Sequence, residues 1–126
     1  MKTSILIQET TFEKIKKKIN ENKDKIIIFT SENDDLNRKI LEKQAINILL
    51  LNQAKRKDKQ KQRNSGLNQV LAKIAKKKNI TIGINLDEII ESKGKSRSLI
   101  LARIKQNIKL CNKNKVAMKF IVLKDK

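Results

Sequence analysis

The chain has no histidine, tryptophan or tyrosine, three phenylalanines and one cysteine. Each scarcity narrows the functions open to it. Metal-dependent phosphoesterases on α/β scaffolds use clustered histidine and carboxylate ligands, and a histidine-based set is not available here. A lone Cys111 excludes a disulfide framework, suits a reducing cytosol and is expected to pack as a small apolar residue. Without tyrosine or tryptophan, stacking of bases on aromatic rings is not available as the main mode of nucleic-acid binding. Long hydrophobic runs are missing too. No stretch approaches the ~20 apolar residues of a membrane span, and the short block after Met1-Lys2-Thr3 is too brief for the apolar core of a signal peptide. The expectation is a soluble, cytoplasmic protein with no membrane partner. Phosphate cradles of the GxxxxGKS/T or GxGxxG type, CxxC pairs and serine–histidine pairs are absent as well, and Lys93-Gly94-Lys95-Ser96 lacks the first glycine of a nucleotide loop.

Negative charge is scarce: 13 Asp and Glu stand against 31 Lys and Arg, a net charge of +18. Such a balance points to nucleic acid or another anionic surface. Lys, Asn and Ile are all over-used, as a coding bias would make them, so part of the excess reflects composition. The distribution is uneven, however. From Gln53 to Lys115 there are 18 basic and 4 acidic residues, against 13 and 9 in the remainder. The middle of the chain is selectively basic.

What is present is apolar and blocky. The 126 residues suit one α/β domain with a single core, and the blocks IIIF, INILLL and FIVL argue for a folded chain. Strands are expected at Ser4–Gln8, Lys25–Thr30, Ala45–Asn52, Ile80–Ile84 and Ala117–Leu123. The four large apolar residues from Ile26 to Phe29 read as a strand covered on both faces. Thr10 with Glu13 forms a capping box for a helix over Thr11–Asn20, with Phe12, Ile15 and Ile19 inward. Asn33 caps a second helix, Asp34–Lys43, which carries two carboxylates at its positive end. Asn85 with Glu88 caps a short turn, LDEII. A long helix over Ser96–Asn112 buries Ile100, Ile104, Ile108 and Cys111 and leaves Lys105, Lys109 and Lys113 wet. Gly83 marks a close backbone approach in the fourth strand. Strands alternating with amphipathic helices predict a parallel sheet with right-handed crossovers.

The stretch that organises this pattern is Gln53–Lys78. A cationic run ends at Asn64-Ser65-Gly66, and the apolar spacing Leu67, Val70, Leu71, Ile74 begins at once, so a basic loop over residues 53–66 feeds a helix N-terminus suited to phosphate. Lys93–Arg97 reads as a second basic loop. Both follow strands and precede helices, which places them on one edge of the sheet. Lys55, Arg56, Lys57, Lys59, Lys61 and Arg63 are candidate phosphate contacts, as are Lys93 and Lys95. Asn64, Ser65 and Asn68 can cap the helix or bond a 2′-hydroxyl. Arg97 and Arg103 can clamp phosphate bidentately, although Arg103 could equally face inward toward Asn107. Asp58, Asp87 and Glu88 are the carboxylates a metal-dependent hydrolase would need, but capping and charge moderation explain them as well. A generic basic RNA-binding or ribosome-associated protein is a further alternative.

The run Arg63-Asn64-Ser65-Gly66-Leu67-Asn68-Gln69-Val70-Leu71-Ala72-Lys73-Ile74-Ala75, with Ile82-Gly83, Leu86, Lys93–Arg97 and Ala102–Cys111, resembles ribonuclease P protein component 3. That family supplies the TIM-barrel-like subunit of the archaeal and eukaryotic ribonucleoprotein that removes tRNA 5′ leaders. The resemblance implies a non-catalytic subunit that binds the catalytic RNA, pairs with component 2 and meets precursor tRNA indirectly. Cleavage would belong to the RNA and its Mg²⁺, with no cofactor or metal on the protein. Gln69 stands where the family has histidine and Ala117 where it has proline. A closed barrel needs eight strands; about five are expected here, so the resemblance implies a shortened, open, partial TIM-barrel-like fold.

Overall fold

The computed structural model describes residues 3–58 and 63–123. Among them five strands, β1 (Ser4–Ile7), β2 (Ile26–Phe29), β3 (Ile48–Leu51), β4 (Thr81–Asn85) and β5 (Met118–Ile121), alternate with helices α1 (Phe12–Glu21), α2 (Asp34–Lys43), α3 (Gln69–Lys78), α4 (Leu86–Glu91) and α5 (Gly94–Asn114). The strands pair in sequence order, all parallel. An α/β sheet with neighbouring strands consecutive in the chain is the topology of a TIM-like barrel cut open.

Consecutive parallel strands joined by crossovers of one hand put every helix on the same face. Ile7, Ile27, Phe29, Leu49, Leu51 and Ile82 meet α1 through Ile15 and Ile19, α2 through Ile40 and Leu41, and α3 through Leu71, Ala72 and Ala75. A neighbouring cluster packs Ile84 on Ile100 and Ile104 of α5. Each of these large side chains contributes roughly 1.5–3 kcal/mol when fully buried. The opposite face carries strand residues alone: Ile28, Ile48 and Leu50, with Leu6, Ile26 and Ile121 against them. β2 is covered on both faces, as its apolar run suggested, with helices on one side only. Its second face is covered by its neighbours' side chains.

Gly83 sits on this helix-free face. A Cβ there would lie 3.0 Å from Ile48 Cγ2, 3.1 Å from Leu50 Cδ1 and 3.2 Å from Ile121 Cγ1. The space at Gly83 is thus filled by side chains of β3 and β5, not by the close backbone approach expected.

Several local expectations shift by a residue or two. Thr11, rather than Thr10, caps α1, its hydroxyl accepting from Lys14 N at 3.4 Å. Asn33 caps α2 as expected, accepting from Leu36 N at 3.1 Å. Asn85 precedes α4 without a side-chain cap bond, and its Nδ2 donates to Asn52 Oδ1 at 2.8 Å. α5 starts at Gly94, so Lys95–Arg97 form its first turn and not a loop. Ile108 is 37% exposed, and Asn107 takes the expected inward position.

Candidate nucleic-acid interface

After β3 the chain leaves the sheet and folds back on itself. Gln53 turns inward and its Nε2 donates to Ser65 O at 2.8 Å, which ties the two ends of the loop. The Glu88 carboxylate accepts from Gln53 N at 2.6 Å and Ala54 N at 2.9 Å. Arg56 lies beneath the loop, donating from Nε to Asn52 O at 2.7 Å and from Nη1 to both Asp34 oxygens at 2.9 and 3.0 Å. Gly66, at φ +82°, lies against this guanidinium, and a Cβ there would overlap it. Glycine meets both demands, since it adopts positive φ and has no side chain.

A second arginine bolts the loop to α5. Arg103 donates from Nη1 to Gln53 O at 2.9 Å and from Nε to Asp58 Oδ1 at 3.2 Å. The same Asp58 oxygen accepts from Asn64 N at 2.8 Å. That backbone bond, followed by the Arg103 guanidinium, holds the Asp58 carboxyl below its ordinary pKa. Asn107 Nδ2 donates to Ser65 O at 3.1 Å, and Gln106 Nε2 reaches Arg63 O and Ser65 Oγ, both at 3.3 Å. The loop after β3 is thus tied to α5 through Arg103, Gln106 and Asn107.

These bonds sort the expected contact residues. Arg56, Ser65 and Arg103 do not face solvent: the Arg56 and Arg103 side chains are 9% and 5% exposed, and Ser65 is buried. Each is held by the loop's need to satisfy buried polar groups, so their expected role at RNA is corrected to a structural one. Arg103 finds Asp58 and Gln53 rather than Asn107. Asn64 is half-buried, its amide donating to Lys57 O at 3.3 Å. Asn68 is exposed and caps α3, accepting from Leu71 N at 2.9 Å. Lys59 and Lys61 lie outside the described residues. Lys55, Lys57, Arg63, Lys93, Lys95 and Arg97 are exposed. Lys55 makes a 3.3 Å surface pair with Glu32, an exposed geometry worth little, and Arg97 donates to Ile90 O at 3.2 Å.

Sequence reasoning missed the face that Arg63 shares with α5. That helix carries Lys95, Arg97, Arg103, Lys105, Lys109 and Lys113 and no carboxylate. Arg63, Ala102, Lys105, Gln106 and Lys109 line a concavity of about 380 Å³ with no acidic group in its wall. The signal was legible: lysines at i, i+4 on a helix without acidic residues. A second concavity of about 440 Å³ lies at the strand ends, but Glu32, Asp34 and Glu88 share it with Lys55, Arg56 and Lys57. Mixed charge makes that one a poor phosphate site. Among the described residues no group of three or more Cys, Asp or Glu side chains could hold a metal ion. Nor is any described helix long and apolar enough to cross a membrane.

No protein-family model matches the chain. Over 56 residues it is 43% identical to ribonuclease P protein component 3 of Methanosarcina acetivorans and 41% identical to the protein of that name from Methanosarcina mazei. The chain resembles ribonuclease P protein component 3. The aligned stretch covers 44% of this chain but only 23% of each component 3 relative. A chain in a cryo-EM structure of archaeal ribonuclease P with mature tRNA superimposes with a TM-score of 0.81 over 97% of this chain. Its sequence identity is 22%, so the match shows the fold, and this chain spans about half (52%) of its length. At Gln69, where the component 3 family has histidine, the amide exchanges hydrogen bonds with Asn114 at 3.1 and 3.0 Å, linking α3 to α5.

Proposed function

We propose that this chain is a non-catalytic protein subunit of a ribonuclease P, binding the catalytic RNA and supporting removal of tRNA 5′ leaders. The observation that carries the reading is the carboxylate-free, cationic outer face of α5 beside Arg63, in a chain that resembles component 3. Phosphate contact through Lys55, Lys57, Arg63, Lys93, Lys95, Arg97, Lys105 and Lys109 would give affinity without base readout. Cleavage and its Mg²⁺ ions belong to the RNA in this reading. Component 2 is the proposed protein partner, precursor tRNA is met through the RNA, and the assembly resides in the cytoplasm. A hydrolase built on Asp58, Asp87 or Glu88 has less support. Asp58 holds Asn64 N and Arg103, Asp87 accepts from Leu123 N at 2.8 Å, and Glu88 holds two loop amides.

The test is a salt titration of binding to ribonuclease P RNA, with a ribosomal RNA fragment of equal length as competitor. If 6–8 phosphates are neutralised, log K falls with log salt at a slope of about −4 to −7. The variant Arg63→Gln/Lys105→Gln/Lys109→Gln should make the slope shallower by about 2 units. A slope near zero in the parent, or equal affinity for the ribosomal competitor, rejects the proposal.

A further inference from the structure

A concavity of about 580 Å³ opens where β2 and β3 begin, between the C-terminal ends of α1 and α2. Buried Ile19 and Ile27 form part of its wall, with Lys23, Lys25 and Lys43 and the amides of Asn20, Gln44 and Asn47, and no acidic group lines it. Lysines near helix C-termini can serve the last carbonyls, but those of α1 and α2 are served by other groups. Asn22 Nδ2 donates to Lys18 O at 2.7 Å. Lys78 Nζ reaches across from α3 and donates to Leu41 O at 2.8 Å and Gln44 O at 2.9 Å. The side chains of Lys23, Lys25 and Lys43 make no hydrogen bond or ion pair among the described residues. Of the carboxylates close in sequence, Glu42 is taken by Arg38 at 2.6 Å and Glu21 lines a separate hollow with Glu13. Asp24 is exposed and does not line the concavity. Asn47 Oδ1 accepts from Ile27 N at 2.7 Å, which leaves its Nδ2 donors for a ligand.

Unpaired ammonium groups around one hollow with no carboxylate in its wall attract an anion. What surrounds the hollow narrows the kind of anion. Among the described residues, every exposed large apolar side chain lies at Val70 or later in the chain. α1, α2 and the turn before β2 therefore offer no apolar anchor for a protein interface or for insertion into a lipid surface. Lysines and side-chain amides without such an anchor suit a sugar–phosphate backbone, the lysines neutralising phosphates and the amides bonding phosphate or sugar oxygens. We infer that this hollow is a second RNA-binding site, taking the phosphates of an RNA segment other than the one held at α5. α3 stands between the two sites, bonded to α2 through Lys78 and to α5 through Gln69. One chain then holds two RNA segments in a fixed relation. This second site presupposes that the chain binds RNA, but not that α5 is where it does so.

The experiment counts RNA molecules per chain. The full chain is mixed at low salt with an excess of a short, blunt, dye-labelled RNA duplex, and the complex is weighed by sedimentation equilibrium. The parent should bind two duplexes and Lys23→Gln/Lys25→Gln/Lys43→Gln one. The control Lys14→Gln/Lys16→Gln/Lys17→Gln removes the same charge from exposed positions of α1 and should still bind two. In the background Arg63→Gln/Lys105→Gln/Lys109→Gln, where the hollow is the site that remains, adding the Lys23, Lys25 and Lys43 changes should abolish binding. Lys25 is half-buried; should its replacement lower the thermal midpoint, Lys23→Gln/Lys43→Gln, at exposed positions, carries the same expectation. A parent that binds one duplex, a Lys23/Lys25/Lys43 variant that keeps two, or an equal loss in the control overturns the inference. If the Arg63/Lys105/Lys109 variant keeps two duplexes while the Lys23/Lys25/Lys43 variant loses one, the α5 face fails and the hollow stands.

Discussion

Replacing Arg103 by methionine separates the two roles open to that residue. Methionine keeps the length and apolar stem and removes every donor. Arg103 supplies two bonds, to Gln53 O at 2.9 Å and to Asp58 at 3.2 Å, from a side chain only 5% exposed. Removing one partner of a fully buried ion pair costs about 3–5 kcal/mol, but that value overstates this case. The Asp58 side chain is 32% exposed and can regain water. Gln53 O keeps a second, longer bond from Arg56 N at 3.3 Å. What remains is the loss of one charge-assisted bond and of the loop's anchor on α5, about 1.5–3 kcal/mol. For a chain of this size that lowers Tm by roughly 5–15 °C. With no tryptophan or tyrosine to report fluorescence, far-UV circular dichroism during heating and urea titration is the assay. Below the transition, the salt slope of RNA binding should match the parent, because Arg103 does not reach solvent. A variant that keeps its Tm but loses about one unit of slope would refute the structural role and restore Arg103 to the phosphate contacts.

Gly83→Ala should destabilise the fold by about 1–3 kcal/mol through overpacking against Ile48, Leu50 and Ile121, seen as a lower urea midpoint with an unchanged m-value. A neutral outcome would mean the helix-free face is loosely packed. Cys111 is buried, and burial pushes its thiol up from 9.0 to about 11. At pH 8 roughly one thiol in a thousand is then ionised, so iodoacetamide should label the native chain far more slowly than the urea-unfolded chain. Because the folded pKa is the higher one, the stabilisation from the neutral thiol is intact below pH 9.0 and lost as pH rises toward about 11. Equal labelling of native and unfolded chain at pH 8 would rule out this burial.

Much of the scaffold was legible because its signals are local. Blocks such as IIIF mark strands without reference to the rest of the chain, and Asn33 announces α2 from the residues beside it. The errors arise where a partner is distant. Arg56 reads as one more solvated cation in a basic run, and nothing nearby reveals that Asp34, 22 positions away, will hold it. Arg103 and Asp58 are 45 positions apart. Asn107, not Ile108, lies in the buried stripe, where its amide is a second donor to the carbonyl of Ser65, 42 residues earlier. In each case a polar group that the fold buries outcompetes apolar spacing or exposed charge. The consequence is a redistribution of roles among the cations. With so few carboxylates in the middle of the chain, Arg56 and Arg103, within reach of Asp34 and Asp58, are drawn inside. Their neighbours on α5 find no carboxylate on their own helix, so their charge stays on the surface.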